Sequence, residues 1–213
     1  MSEVKFNGRT IKFRKWKVKD KKALDLCKTE TEKRKVYVYG CLDNPNEPLD
    51  IEEYNYVLSH IRDYSMSTPL EFSVKCSCGD EFDVSLSASE IVTAVDANYD
   101  PIVVDDIVIE LGNVRNQEMY EKIVLNSATM SERYISDFAM HITRINYNDV
   151  EYSDVINFIE NLDVDKYEVI FRKWDSQRFK CSFNHEVTCP KCKRKNVYNF
   201  EDMPDFFPST WKI

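Results

Sequence analysis

Val74-Lys75-Cys76-Ser77-Cys78-Gly79-Asp80-Glu81-Phe82 and Val187-Thr188-Cys189-Pro190-Lys191-Cys192-Lys193-Arg194-Lys195 are the two stretches that decide how this chain folds. The residues flanking each thiol pair alternate as short strands do, so each stretch predicts a β-hairpin with two cysteines at its tip. Four thiolates from two hairpins match the ligand set of a tetrahedral structural zinc. If the tips meet, a single ion ties the middle of the chain to its C-terminal region. The spacing of Cys189 and Cys192 puts both sulfurs on one side of the backbone. The Cys76-Ser77-Cys78 pair is tighter, with Gly79 to relieve its turn. A rival ligand set is local: Cys181, His185, Cys189 and Cys192. It would leave Cys76 and Cys78 without a metal. The long-range set of Cys76, Cys78, Cys189 and Cys192 is favoured, because two adjacent thiols on a hairpin tip have few other uses. Cys27 and Cys41 lie in helical segments and are expected to be small buried hydrophobes.

The 213 residues are 43% hydrophobic and 13% aromatic, enough for a real core, and hold only 4 glycines. The expectation is one α+β domain over 1–213, with a zinc-knuckle subdomain built from 70–86 and 186–200. No apolar stretch approaches the length of a membrane span. Nothing after Met1-Ser2-Glu3-Val4-Lys5 resembles a signal peptide. An intracellular setting follows as an expectation, and there the 7 cysteines would stay reduced. The net charge of -8 is opposite to that of most proteins that coat nucleic acid. A basic stretch over residues 9–22 is taken as a solvated face, with Phe13, Trp16 and Val18 as one buried strand face.

Working outward, Val4–Phe6 and Thr10–Trp16 around Asn7-Gly8 predict a hairpin. Helices are expected over Lys17–Thr31 and Glu32–Leu42, ending before the Pro45 and Pro48 loop. Asp50 is a candidate N-cap, with Glu53 completing a capping box and the helix running to about Tyr64. Val103–Leu111 predicts one strand. Arg115–Asn126 and Ser131–His141 predict helices, the latter capped by Ser131. A short strand over Ile142–Tyr147 precedes helices over Asp149–Asn161 and from Asp163 to about Lys173.

A zinc held by four sulfurs keeps no open position for substrate, so the metal is expected to be structural. His-Glu-x-x-His, Gly-x-Ser-x-Gly and a deaminase-like His-x-Glu are all missing. His60 and His141 are expected at the surface or at a helix cap. The chain is therefore expected not to be an enzyme. Phe206, Phe207 and Trp211, between and beside Pro204 and Pro208, form a short apolar peptide suited to docking on a partner.

Phe13-Arg14-Lys15-Trp16-Lys17-Val18-Lys19-Asp20-Lys21-Lys22-Ala23-Leu24 resembles the N-terminal signature of the baseplate hub assembly proteins of T-even-like tailed phages. Cys41-Leu42-Asp43, Asp50-Ile51-Glu52-Glu53-Tyr54, Ile61-Arg62 and Ser65 before the strand into Cys76 follow in the same order. Cys189, Cys192, Phe206 and Phe207 match the ending. The shortened first knuckle departs from the pattern. The resemblance implies a non-enzymatic chaperone or scaffold for baseplate hub proteins, working in the host cytoplasm or retained in the tail baseplate. A competing reading is a zinc-ribbon nucleic-acid-binding or regulatory protein, motivated by Lys191, Lys193, Arg194 and Lys195. A third, a peptidoglycan-acting enzyme, would need carboxylates paired at hydrolytic distance.

Overall fold

Asn7 and Gly8 both take left-handed backbone angles, φ 48° and 67°, and turn β1 (Ser2–Phe6) into β2 (Arg9–Phe13). Two positive φ values in succession are what a two-residue hairpin needs, and Asn-Gly supplies them at little strain. The structure, a computed structural model, describes residues 1–200. Those residues divide into two compact units. One holds 1–45, 52–95 and 180–200; the other holds 46–51 and 96–179.

In the first unit Val4 stands opposite Ile11, and Phe6 and Phe13 bury the same face. Two helices form after Lys17, as expected, but the first ends at Leu24 rather than Thr31 and the second begins at Glu30 rather than Glu32. α1 (Val18–Leu24) opens with the Asp20 carboxylate turning back to accept from the Lys17 N–H at 2.7 Å. Thr29 then starts again: its hydroxyl accepts from the Glu32 N–H at 3.1 Å and opens α2 (Glu30–Tyr37). The reciprocal Thr29–Glu32 pair is a capping box that fixes where the second helix starts. A single 3-10 turn follows at Tyr39–Cys41. The expected strand face is also corrected. Phe13 and Trp16 are buried, but Val18 opens a helix and is 74% exposed. Next, α3 (Ile51–Ser65) sets Tyr56 edge-on to Phe6 and Tyr64 edge-on to Phe13. Its buried Glu53 accepts from Arg9 and from Asn7. The first cysteine hairpin forms as expected from β3 (Leu70–Lys75) and β4 (Glu81–Leu86), leading into α4 (Ala88–Ile91) and β5 (Thr93–Val95).

In the second unit the apolar run over Val103–Leu111 is a hairpin and not one strand. Asp105, at φ 53°, turns β6 (Ile102–Val104) into β7 (Ile107–Leu111). Aspartate tolerates that conformation better than most side chains. Asn116 caps α5 (Gln117–Ile123), and Thr129, not Ser131, caps α6 (Met130–His141) through a reciprocal pair with Glu132. Asn146 and Tyr147, both left-handed, turn β8 (Ile142–Ile145) into β9 (Asn148–Asp149). The sheet runs β6-β7-β8-β9, antiparallel throughout. α7 (Tyr152–Glu160) and α8 (Val164–Gln177) complete the unit around a core containing Ile109, Phe138, Ile170 and Trp174.

The chain returns to the first unit through β10 (Lys180–Ser182), which pairs antiparallel with β5 and sets Lys180 opposite Val95. The second cysteine hairpin follows as β11 (Asn184–Thr188) and β12 (Lys195–Asn199). The mixed helix-and-hairpin class expected from sequence is the one observed. Phe206, Phe207 and Trp211 lie outside the described residues. Among the described residues, no helix is long and apolar enough to cross a membrane.

Candidate metal centre

The two hairpin tips close in the same way. The Cys76 N–H donates to the Asp80 carbonyl at 2.8 Å, and the Cys189 N–H donates to the Arg194 carbonyl at 2.9 Å. Each turn carries one left-handed residue, Gly79 at φ 87° and Lys193 at 61°. That twist is what lets two cysteines a short distance apart point the same way. Beneath the tips both hairpins bury side chains in one apolar cluster. Leu70, Val74, Ala88, Ile91 and Phe200 form its centre, and the Phe72 ring packs at a tilt against Phe200 with centroids 4.6 Å apart. The cluster sets the two knuckles side by side.

The result is four sulfurs, from Cys76, Cys78, Cys189 and Cys192, all within 4.8 Å of one another. Cys76 Sγ lies 3.7 Å from Cys192 Sγ, and Cys78 Sγ lies 3.8 Å from Cys189 Sγ. A disulfide would bring sulfurs to about 2.05 Å. Sulfurs placed at about 2.3 Å around a tetrahedral ion sit about 3.8 Å apart. The donor set and its spacing therefore fit a metal ion and not a bond. Cys76 and Cys189 are buried, while Cys78 and Cys192 are exposed at the rim.

The electrostatics point the same way. The Cys78 N–H, aimed at the Cys76 sulfur, brings that thiol down to about 6 against the desolvation that raises it. At Cys78 the Asp80 N–H lowers the pKa, but desolvation and the three neighbouring sulfurs outweigh it and push it up to about 11. One thiolate forms readily and a second is resisted. A cation at the centre would remove that resistance. Around the sulfurs, Asn196 Nδ2 donates to Cys76 Sγ at 3.5 Å, and Arg194 Nη1 reaches across the tips to Ser77 Oγ at 2.8 Å. Lys191 Nζ faces Asp80 at 3.9 Å, and Lys195 pairs with Glu186 at 2.7 Å. The rival local set is not assembled. Cys181 lies in β10, and His185 turns its Nδ1 to the Glu90 carbonyl at 2.9 Å.

The second unit holds a polar cluster that sequence reasoning missed. His141, expected at the surface or at a helix cap, ends α6 but is only 1% exposed. Its Nδ1 donates to the Asp137 carbonyl at 2.8 Å, and its Nε2 lies 3.4 Å from the Asp50 carboxylate. Burial lowers the imidazole's pKa, but Asp50 and Asp137 outweigh it and push it up to about 9. The Tyr120 hydroxyl donates to Asp137 at 2.8 Å and accepts from the Ile51 N–H at 3.2 Å. With Leu49 N–H on Gln117 at 2.8 Å, the cluster anchors the segment 46–51 within its unit. The only sequence signal was the spacing of Asp137 and His141 by one helical turn on α6. His60 is half-buried, its Nδ1 on the Tyr56 carbonyl at 2.9 Å.

Fold and site together define an α+β protein in which two distant hairpins present a tetrathiol cluster. The chain belongs to the T4 bacteriophage base plate protein family, whose model matches residues 1–208. No curated protein and no solved structure matches the chain.

Proposed function

We propose that this base plate protein is a non-enzymatic assembly factor of the baseplate hub, acting as chaperone or scaffold for hub subunits, with a structural zinc holding its knuckles. The observation that carries the assembly role is the family match over nearly the whole chain. The zinc reading is supported by cross-hairpin sulfur separations of 3.7 and 3.8 Å. Bound there, zinc would be held by Cys76, Cys78, Cys189 and Cys192 and would supply a cross-link, with no position left for substrate. The non-enzymatic reading is supported by the sealed position of His141 with Asp50 and Asp137, where no substrate reaches the imidazole. Arg194 and Lys191 face Ser77 and Asp80. That engagement favours the assembly role over a nucleic-acid-binding zinc ribbon. On sequence grounds, Phe206, Phe207 and Trp211 are the proposed partner contact. The host cytoplasm is the proposed place of action.

The test is co-purification of the native protein with each hub subunit expressed beside it, together with metal analysis by mass spectrometry. A stable complex with one hub subunit and one zinc per chain is the expected result. Failure to bind any hub subunit overturns the assembly reading. A metal-free native protein overturns the zinc reading alone.

A further inference from the structure

The two units differ sharply in charge. The unit formed by 46–51 and 96–179 carries 19 Asp and Glu against 8 Lys and Arg, net -11, while the described residues of the other carry 15 against 20, net +5. On the acidic unit, α6, α7 and α8 enclose an open apolar groove of about 520 Å³. Its walls include Ile135, Ile156, Leu162 and Val164, the last 72% exposed, and Glu132 and Glu160 stand on its rim. Exposed Asp154, Asp163 and Asp165 lie on or beside the same helices. The Glu132 carboxylate accepts from the N–H groups of Ala128 and Thr129, which hold it in place on the rim. An apolar trough edged by carboxylates fits a partner that offers apolar side chains among lysines.

The basic unit presents such a surface. From the end of β2 through α1, Lys15, Lys17, Lys19 and Lys22 are exposed. Between and beyond them Val18 and Leu26 project into solvent, Leu26 at 80% exposure. Asp20 is buried against Arg14 at 2.7 Å and does not neutralise the lysines, and the exposed Asp25 beside Leu26 offsets only one of the four exposed ones. We propose that the chain associates head to tail, with the Lys15–Leu26 surface of one copy seated in the α6–α7–α8 groove of a second copy. Charge dictates the polarity of the contact. Two acidic grooves facing each other would repel, whereas basic surface on acidic groove attracts and also covers both sets of exposed apolar side chains. A contact of this kind is heterologous, so it propagates from copy to copy unless a ring closes. It is independent of both the zinc and the hub readings.

Sedimentation velocity of the intact protein tests this over about 1 to 100 μM, the range in which a modest interface associates. At low salt the wild type is expected to exceed the monomer mass of 25.1 kDa in a concentration-dependent way, and to return to it at high salt. Lys19→Glu with Lys22→Glu spoils the basic surface; Glu160→Lys with Val164→Lys spoils the groove. Each variant, checked for an unchanged melting curve, is expected to be monomeric alone. Mixed, they are expected to form a dimer and nothing larger, because one good surface meets one good groove. A wild type that stays monomeric throughout overturns the proposal. So do variants that associate like wild type, or a mixture that stays monomeric.

Discussion

Removing the metal should loosen the chain by an amount that the sequence distance between the knuckles sets. In the folded protein an apolar cluster shared by both hairpins sets the two thiol pairs side by side. In the unfolded chain an ion can collect both thiol pairs only by closing a loop. Cys78 and Cys189 are 111 residues apart. Closing a loop of that length costs about 5 kcal/mol of chain entropy. A metal therefore prefers the folded chain by about that much from this term alone. For a chain of this size each kcal/mol shifts the melting temperature by about 2–4 °C, so the expected drop is about 10–20 °C. The perturbation is a strong chelator in one sample and Cys189→Ser in another, since Cys189 is fully buried among the sulfurs. The assay is differential scanning calorimetry, with zinc content measured on the same preparations. Both samples should lose the same increment, and chelator should not move the Cys189→Ser melt further. Superimposable melts of holo, chelated and mutant protein would refute the reasoning.

Other outcomes follow from specific contacts. His141 is raised to about 9 in the folded state from 6.5, so its contribution is present in full below about pH 6.5 and is lost as pH rises through 9. That amounts to roughly 3 kcal/mol, and thermal melts between pH 6 and pH 10 should show stability falling over that window. His141→Leu removes the cation that faces the buried Asp50 carboxylate and should cost about 3–5 kcal/mol by urea denaturation, with Asp50→Asn recovering part of the loss. Asn196→Ala and Arg194→Ala, which remove donors around the sulfurs, should each speed zinc transfer to a chromogenic chelator about tenfold or more. Gly79→Val forces a β-branched side chain into φ 87° and should weaken zinc retention while leaving the second unit's spectrum unchanged.

The parts of this fold legible in the sequence are those with a local chemical cause. Asn7-Gly8 specifies its own turn, and the alternation around Cys76 and Cys189 specifies two hairpins. The thiol cluster was legible because cysteines paired on strand tips have few uses besides a shared metal. Other features depend on partners far away in the chain. The burial of His141 follows from Asp50 and from the packing of α6, which local periodicity does not report. Segment 46–51 joins 96–179 through Leu49, Asp50 and Ile51, each held by a residue roughly 70 or more positions on. Thr129 outcompetes Ser131 as cap because only Thr129 has a glutamate three residues on to complete the pair. The break at Asp105 was hidden by its apolar surroundings.

The antiparallel pairing of Val95 with Lys180 means that residues 96–179 depart and come back at adjacent points on one ladder. During synthesis Cys76 and Cys78 emerge long before Cys189 and Cys192. If the intervening stretch folds first, its neighbouring ends shorten the tether between the thiol pairs from 111 residues to about 30. The closure penalty then drops by about 1 kcal/mol. The inserted unit would thus act as an early-folding clip that brings the late cysteines within reach of the waiting ones.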